Sequence, residues 1–92
     1  MITKCFEIST AHITEDTANK LSNIDTRGNI TLSIYDKAEF GWWIFIDYRM
    51  KRNDSIPDDL WRCIQYAQKN GCNWLCLDCD AEILDDLPVY DW

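Results

Sequence analysis

The sequence predicts an α+β domain built as a two-layer sandwich, with element order β-α-β-β-α-β and two helices on one face of an antiparallel sheet. Three observations predict it. Short apolar segments alternate with a period of two, two longer segments repeat with the helical period, and turn-forming residues separate them. The chain has 92 residues, enough for one domain (1–92) and too few for two of ordinary size. Folding a chain of this mass should leave roughly 5600 Å² of surface exposed, which implies a small core.

Thr3 to Ile8 reads as the first strand, with Phe6 and Ile8 on one face and Glu7 on the other. Ser9-Thr10-Ala11 turns the chain into a helix whose apolar stripe is Ile13, Thr17, Ala18, Leu21 and Ile24. Thr14 suits the N-cap, and Glu15 and Asp16 face the positive end of the helix dipole. Asp25-Thr26-Arg27-Gly28-Asn29 ends this helix as a turn.

Ile30 to Tyr35 alternates, with Ile30, Leu32 and Ile34 opposing Thr31, Ser33 and Tyr35, the pattern of a half-buried strand. Asp36 to Gly41 is a loop short enough for an antiparallel hairpin. In the third strand, Trp42 to Tyr48, Trp42, Ile44, Ile46 and Tyr48 oppose Trp43, Phe45 and Asp47. Aromatic residues on both faces imply either a central strand or one with an exposed aromatic strip.

Arg49 to Asp54 reads as a basic loop. Ser55 as N-cap and Pro57 in the first turn open the second helix, where a missing N–H costs nothing. Leu60, Cys63, Ile64 and Ala67 line its buried face, Trp61, Gln65, Gln68 and Lys69 lie mostly elsewhere, and Asn70-Gly71 closes it. The fourth strand, Trp74 to Asp78 or slightly beyond, sets Leu75, Leu77 and Cys79 against Trp74, Cys76 and Asp78. Ile83-Leu84 forms a short strand or an irregular segment. Leu87 to Trp92 packs back on the domain, with Pro88 confining it to an edge or loop. This is the split β-α-β order of a ferredoxin-like sandwich or a close variant.

Sixteen acids against nine bases leave a net charge of -7. The charge is uneven: residues 70–92 carry Asp78, Asp80, Glu82, Asp85, Asp86 and Asp91 and no Lys or Arg. Such a patch repels phosphates, so direct nucleic-acid binding is not expected. It is either a solvated face that keeps a small protein soluble or a surface for a basic partner. No apolar run approaches the roughly 18 residues of a membrane span, and the N-terminus opens no signal-peptide pattern. The expectation is a cytoplasmic protein without membrane contact.

Five cysteines, Cys5, Cys63, Cys72, Cys76 and Cys79, form an odd set that reads as reduced thiols. Cys72, Cys76 and Cys79 have a spacing that invites zinc. A strand through 74–79 would put Cys76 and Cys79 on opposite faces, so buried small hydrophobes are the expectation, with no metal and no cofactor. The lone histidine, His12, has Ser9, Thr10, Glu15 and Asp16 nearby. No nucleophile elbow, phosphate loop or calcium loop accompanies them, so His12 reads as solvated or capping and no catalytic residue is assigned.

Gly41-Trp42-Trp43-Ile44, Pro57-Asp58-Asp59-Leu60, Tyr66-Ala67, Gly71 to Asp78 and Leu87-Pro88-Val89-Tyr90-Asp91-Trp92 carry a resemblance over nearly the whole chain. They resemble a small domain family of uncharacterised function found in bacterial plasmids, prophages and other mobile elements. The C-terminal block is its most specific part, and no catalytic residue transfers. By size and acidity the chain is also similar to small phage-encoded inhibitors of CRISPR–Cas complexes, some of which mimic DNA. That likeness implies an acidic inhibitor of a host nucleic-acid-binding defence complex; the alternative is a non-inhibitory interaction or accessory domain of a mobile element.

The residues allow mimicry in outline. Alternate strand residues lie about 6.8 Å apart, so Asp78, Asp80 and Glu82 would form a row of carboxylates if the strand continued that far. Asp85 and Asp86 would extend the row, and Asp58 and Asp59 at a helix start could join it. Trp74 and Trp92 are the aromatic anchors expected beside the charges. At least two or three of the five tryptophans should instead fill the core.

Overall fold

The computed structural model describes residues 4–30, 32–47 and 49–92, and of Ile24 the backbone only. The strand positions expected for Thr3, Thr31 and Tyr48, and the core position expected for the Ile24 side chain, lie outside the described residues. The chain runs β1 (Cys5–Ser9), a 3-10 turn (Thr10–His12), α1 (Glu15–Ser22), α2 (Ile24–Arg27), β2 (Ile34–Lys37), β3 (Gly41–Phe45), α3 (Asp58–Lys69) and β4 (Trp74–Asp78). This is an α+β two-layer domain of ferredoxin-like type. Its exposed surface of 5841 Å² is close to that expected for a chain of this mass. Among the described residues no helix is long and apolar enough to cross a membrane.

The four strands lie in the order β1-β4-β3-β2. β2 and β3 form the expected antiparallel hairpin, and β3 pairs antiparallel with β4. β1 and β4 pair in parallel, so the sheet is mixed and not wholly antiparallel. A parallel pair needs a long connection, and the whole chain between Ser9 and Trp74 supplies it.

Period two holds across the sheet. Ile8, Trp42, Ile44, Ile46, Leu75 and Leu77 are buried in the main core, and Phe6 packs against it. Leu60, Cys63, Ile64 and Ala67 of α3 and Ala18 and Leu21 of α1 meet them there. Each fully buried Leu or Ile contributes about 1.5–3 kcal/mol, more than propensity can give an eight-residue helix such as α1.

Several local expectations are corrected. Ile30 is buried but lies in a bend, so β2 begins at Ile34 and includes Asp36 and Lys37 of the expected loop. Ala38 closes the hairpin in the left-handed region (φ 48°). The expected turn 25–29 is in part the short helix α2. Pro57, not Ser55, caps α3, without a side-chain hydrogen bond, because the Ser55 hydroxyl turns back to Asn53. β4 stops at Asp78, and Ile83-Leu84 is irregular.

Two polar clamps position the layers. Thr14 caps α1 as its sequence suggests, accepting from the Thr17 amide. Asp59 in the first turn of α3 accepts from the Thr14 amide at 2.7 Å and the Thr17 hydroxyl at 2.8 Å, tying two helix starts together. His12 is buried (1 % exposed), not solvated. Its Nε2 accepts from the Leu84 amide at 2.9 Å, so Nδ1 carries the proton and donates to the Pro88 carbonyl at 2.8 Å. The terminal segment is thereby strapped to the domain, with Leu87 in the core and the Trp92 indole donating to the Ile13 carbonyl.

Candidate interaction surface

The helices pack on one face of the sheet, and the register sets out the other. Cys5, Trp74 and Phe45 lie side by side; the next row is Glu7, Cys76, Trp43 and Tyr35; the third is Ser9, Asp78, Gly41 and Lys37. Tyr35 (56 %) and Phe45 (40 %) are well exposed for large hydrophobic side chains. The Trp74 ring lies 6.0 Å from Tyr35 and 5.4 Å from Phe45, the latter edge-on. Cys5, Tyr35, Trp43 and Trp74 line a shallow, open and almost wholly apolar depression of about 350 Å³.

One end of this face is ionic. Lys37 Nζ lies 2.6 Å from Asp78 Oδ2, 3.4 Å from Glu7 Oε2 and 5.0 Å from the Trp43 ring centre. Lys37, with the Asp80 amide behind it, holds the Asp78 carboxyl below the usual carboxylate range, and Asp78 in turn raises Lys37.

The cysteines divide. Cys63 and Cys76 are buried as expected, while Cys5 and Cys79 are exposed and Cys72 is half-buried. Burial pushes the Cys63 thiol up to about 12, and desolvation pushes Cys5 up to about 11 with help from Cys76. Cys76 is also raised by burial, and Cys79 by partial desolvation beside Asp80 and Asp78. All four favour the thiol, so none is a ready nucleophile.

The predicted acids do not form a row. β4 ends at Asp78, and Cys79-Asp80 turns away. Asp78 is buried, with Oδ2 on Lys37 and Oδ1 on the Asp80 amide. Asp59 is buried in the helix clamp, and Asp58 pairs with Arg52. Asp80, Glu82, Asp85 and Asp86 are exposed, and Asp86 accepts from the Tyr66 hydroxyl. Trp74 lies on the open sheet face, whereas Trp92 is 52 % exposed at the helix layer. Of the other tryptophans Trp42 is buried, Trp61 packs against the core, and Trp43 stays on the open face.

Ligand atoms of Asp78, Cys79 and Asp80 lie within 4.8 Å of one another, the donor set nearest to a cation site among the described residues. Both Asp78 oxygens are already engaged. Sequence reasoning missed Tyr35, Phe45 and Cys5 as site residues. The signal was present in the Tyr35, Trp43, Phe45 alternation, but alternation alone does not say which of the two faces the helices cover.

Residues 5–92 match the family described as "Family of unknown function (DUF5983) C-terminal domain", and the chain belongs to it. No curated protein and no solved structure matches the chain.

Proposed function

We propose that this domain is a protein-binding module, not an enzyme, that docks its partner on the open face of the sheet. The observation that carries this reading is the contiguous aromatic surface of Tyr35, Trp43, Phe45 and Trp74, of which Tyr35 and Phe45 are well exposed and Trp43 and Trp74 half-buried. Unpaired aromatic patches of this kind are typical binding hot spots. Both nitrogens of the lone histidine are spent on the terminal strap, and burial shifts the Cys5, Cys63, Cys76 and Cys79 thiols upward, which supports binding over catalysis. Five free cysteines suit a reducing cytoplasm. With a net charge of -7 the fitting partner is a protein surface with an apolar or aromatic anchor ringed by Lys and Arg.

A second reading keeps the inhibitor of a CRISPR–Cas type complex, in which exposed acids occupy a basic nucleic-acid channel. What favours it is that Asp80, Glu82 and Asp85 are exposed within one short stretch, with no side-chain partner among the described residues. It rests on fewer acids than the sequence suggested, because Asp78 and Asp59 are spent internally.

One experiment separates the two. A partner captured on the whole chain is purified, and its affinity is measured for wild type, for Tyr35→Ala/Trp74→Ala, and for Asp80→Asn/Glu82→Gln/Asp85→Asn. The sheet-face reading expects the aromatic double variant to lose about 30-fold or more, while the acid variant mainly flattens the salt dependence. If the acid variant abolishes binding and the aromatic one does not, the inhibitor reading replaces it. Circular dichroism confirms that each variant is folded.

A further inference from the structure

On the helix side, away from the aromatic sheet face, a groove of about 500 Å³ runs between α1, the β2–β3 hairpin and the terminal segment. Its volume falls in the roughly 300–1,000 Å³ range of ligand pockets. The residues lining it include the aromatic Phe40, Trp42 and Trp92, the acidic Asp36 and Glu39, and Asn19. No Lys or Arg is among the described residues lining it. We propose that this groove is a second binding site, which takes an arginine side chain of a peptide or protein ligand.

The walls are fixed in place. The Trp92 indole N–H donates to the Ile13 carbonyl at 2.8 Å, which holds the ring at the groove edge. Arg27, outside the groove, anchors Asp36 at 2.5 Å while its own Nε donates to the Leu21 carbonyl. Glu39 pairs with no cation among the described residues. Arg27 offsets only Asp36, so the groove keeps the uncompensated charge of Glu39. Carboxylates repel an anionic ligand and attract a cation. Aromatic walls suit a cation that carries an apolar stem, and a planar guanidinium both stacks on rings and forks onto a carboxylate, which an ammonium does not.

The test uses the whole chain and follows the Trp92 indole N–H by NMR, assigned with Trp92→Phe. N-acetylarginine methylamide is titrated against its uncharged citrulline analogue, up to about 50 mM because one side chain binds weakly. The expected result is a saturable shift for the arginine compound. Binding should be at least about fivefold weaker for citrulline and for the arginine compound on Glu39→Gln. No saturation, an equal response to citrulline, or an unchanged affinity in Glu39→Gln overturns the proposal. Glu39 sits in an exposed turn, so its substitution leaves the fold intact. The sheet-face variants are not involved, so this result is independent of the docking reading.

Discussion

Lys37 reaches Asp78 across an intervening strand, at 2.6 Å, because Gly41 lies between them in the register and has no side chain. The bridge links the edge strand β2 to the interior strand β4. It also sets the charged end of the aromatic face, where Glu7 joins the same ammonium.

Because Asp78 is depressed in the folded state, its contribution is fully present above the ordinary carboxylate range and is lost as pH falls through the lowered value. Lys37 is raised, so its contribution persists until pH climbs through that higher value. Urea denaturation midpoints should therefore fall as pH drops below about 4. In Asp78→Asn that acid-side decline should be shallower. Parallel curves for the two proteins would show that the bridge does not contribute.

Gly41 is required by close approach. A Cβ there would lie 1.7 Å from the Leu77 carbonyl oxygen, a backbone atom that cannot swing aside. Gly41→Ala should cost at least about 3 kcal/mol in denaturant unfolding, because β3 must separate from β4. A loss under about 1 kcal/mol would mean that the strands part easily at this point.

The Asp59 clamp gives a third prediction. Asp59→Asn keeps the shape but turns one acceptor into a donor facing the Thr14 amide or the Thr17 hydroxyl. The expected cost is about 1–3 kcal/mol. Thr17→Val should cost less, and the double variant should fall short of the sum because the two changes break the same bond. Strict additivity would dismiss the pairing.

His12→Phe fills the same buried space but leaves the Leu84 amide and the Pro88 carbonyl without partners. The expected effect is local, about 2 kcal/mol confined to the strap. Hydrogen exchange at the Leu84 and Tyr90 amides should quicken by about tenfold or more, while Leu75 and Leu77 in β4 stay protected. Uniform quickening across β4 would mean that the strap and the core open together.

Much of the frame was legible because it obeys local rules. Period two grouped Ile44 with Trp42 and Ile46, and Leu75 with Leu77, on faces opposite Trp43 and Trp74, and the helical period found the buried face of α3. The Thr14 cap was visible because its hydrogen bond spans three residues. Ile30 misled because apolar alternation marks burial whether or not a strand forms; here the residue is buried in a bend. Ser55 misled because Asn53 competes for its hydroxyl.

The acidic patch shows where local reading stops. Composition and periodicity alone establish that residues 70–92 carry six acids and no Lys or Arg, that the chain folds as an α+β sandwich, and which strand residues share a face. What those side chains meet depends on how distant segments come together. Asp78 found Lys37 at a separation of 41 residues, Asp59 found Thr17 at 42, and His12 found Pro88 at 76. Contacts over such distances follow from strand order, and the parallel pairing of β1 with β4 is a property of the whole chain that no local window contains. That same order left Tyr35 and Phe45 exposed beside Trp43 and Trp74 on the face away from the helices, and so turned an alternation of aromatic residues into a surface.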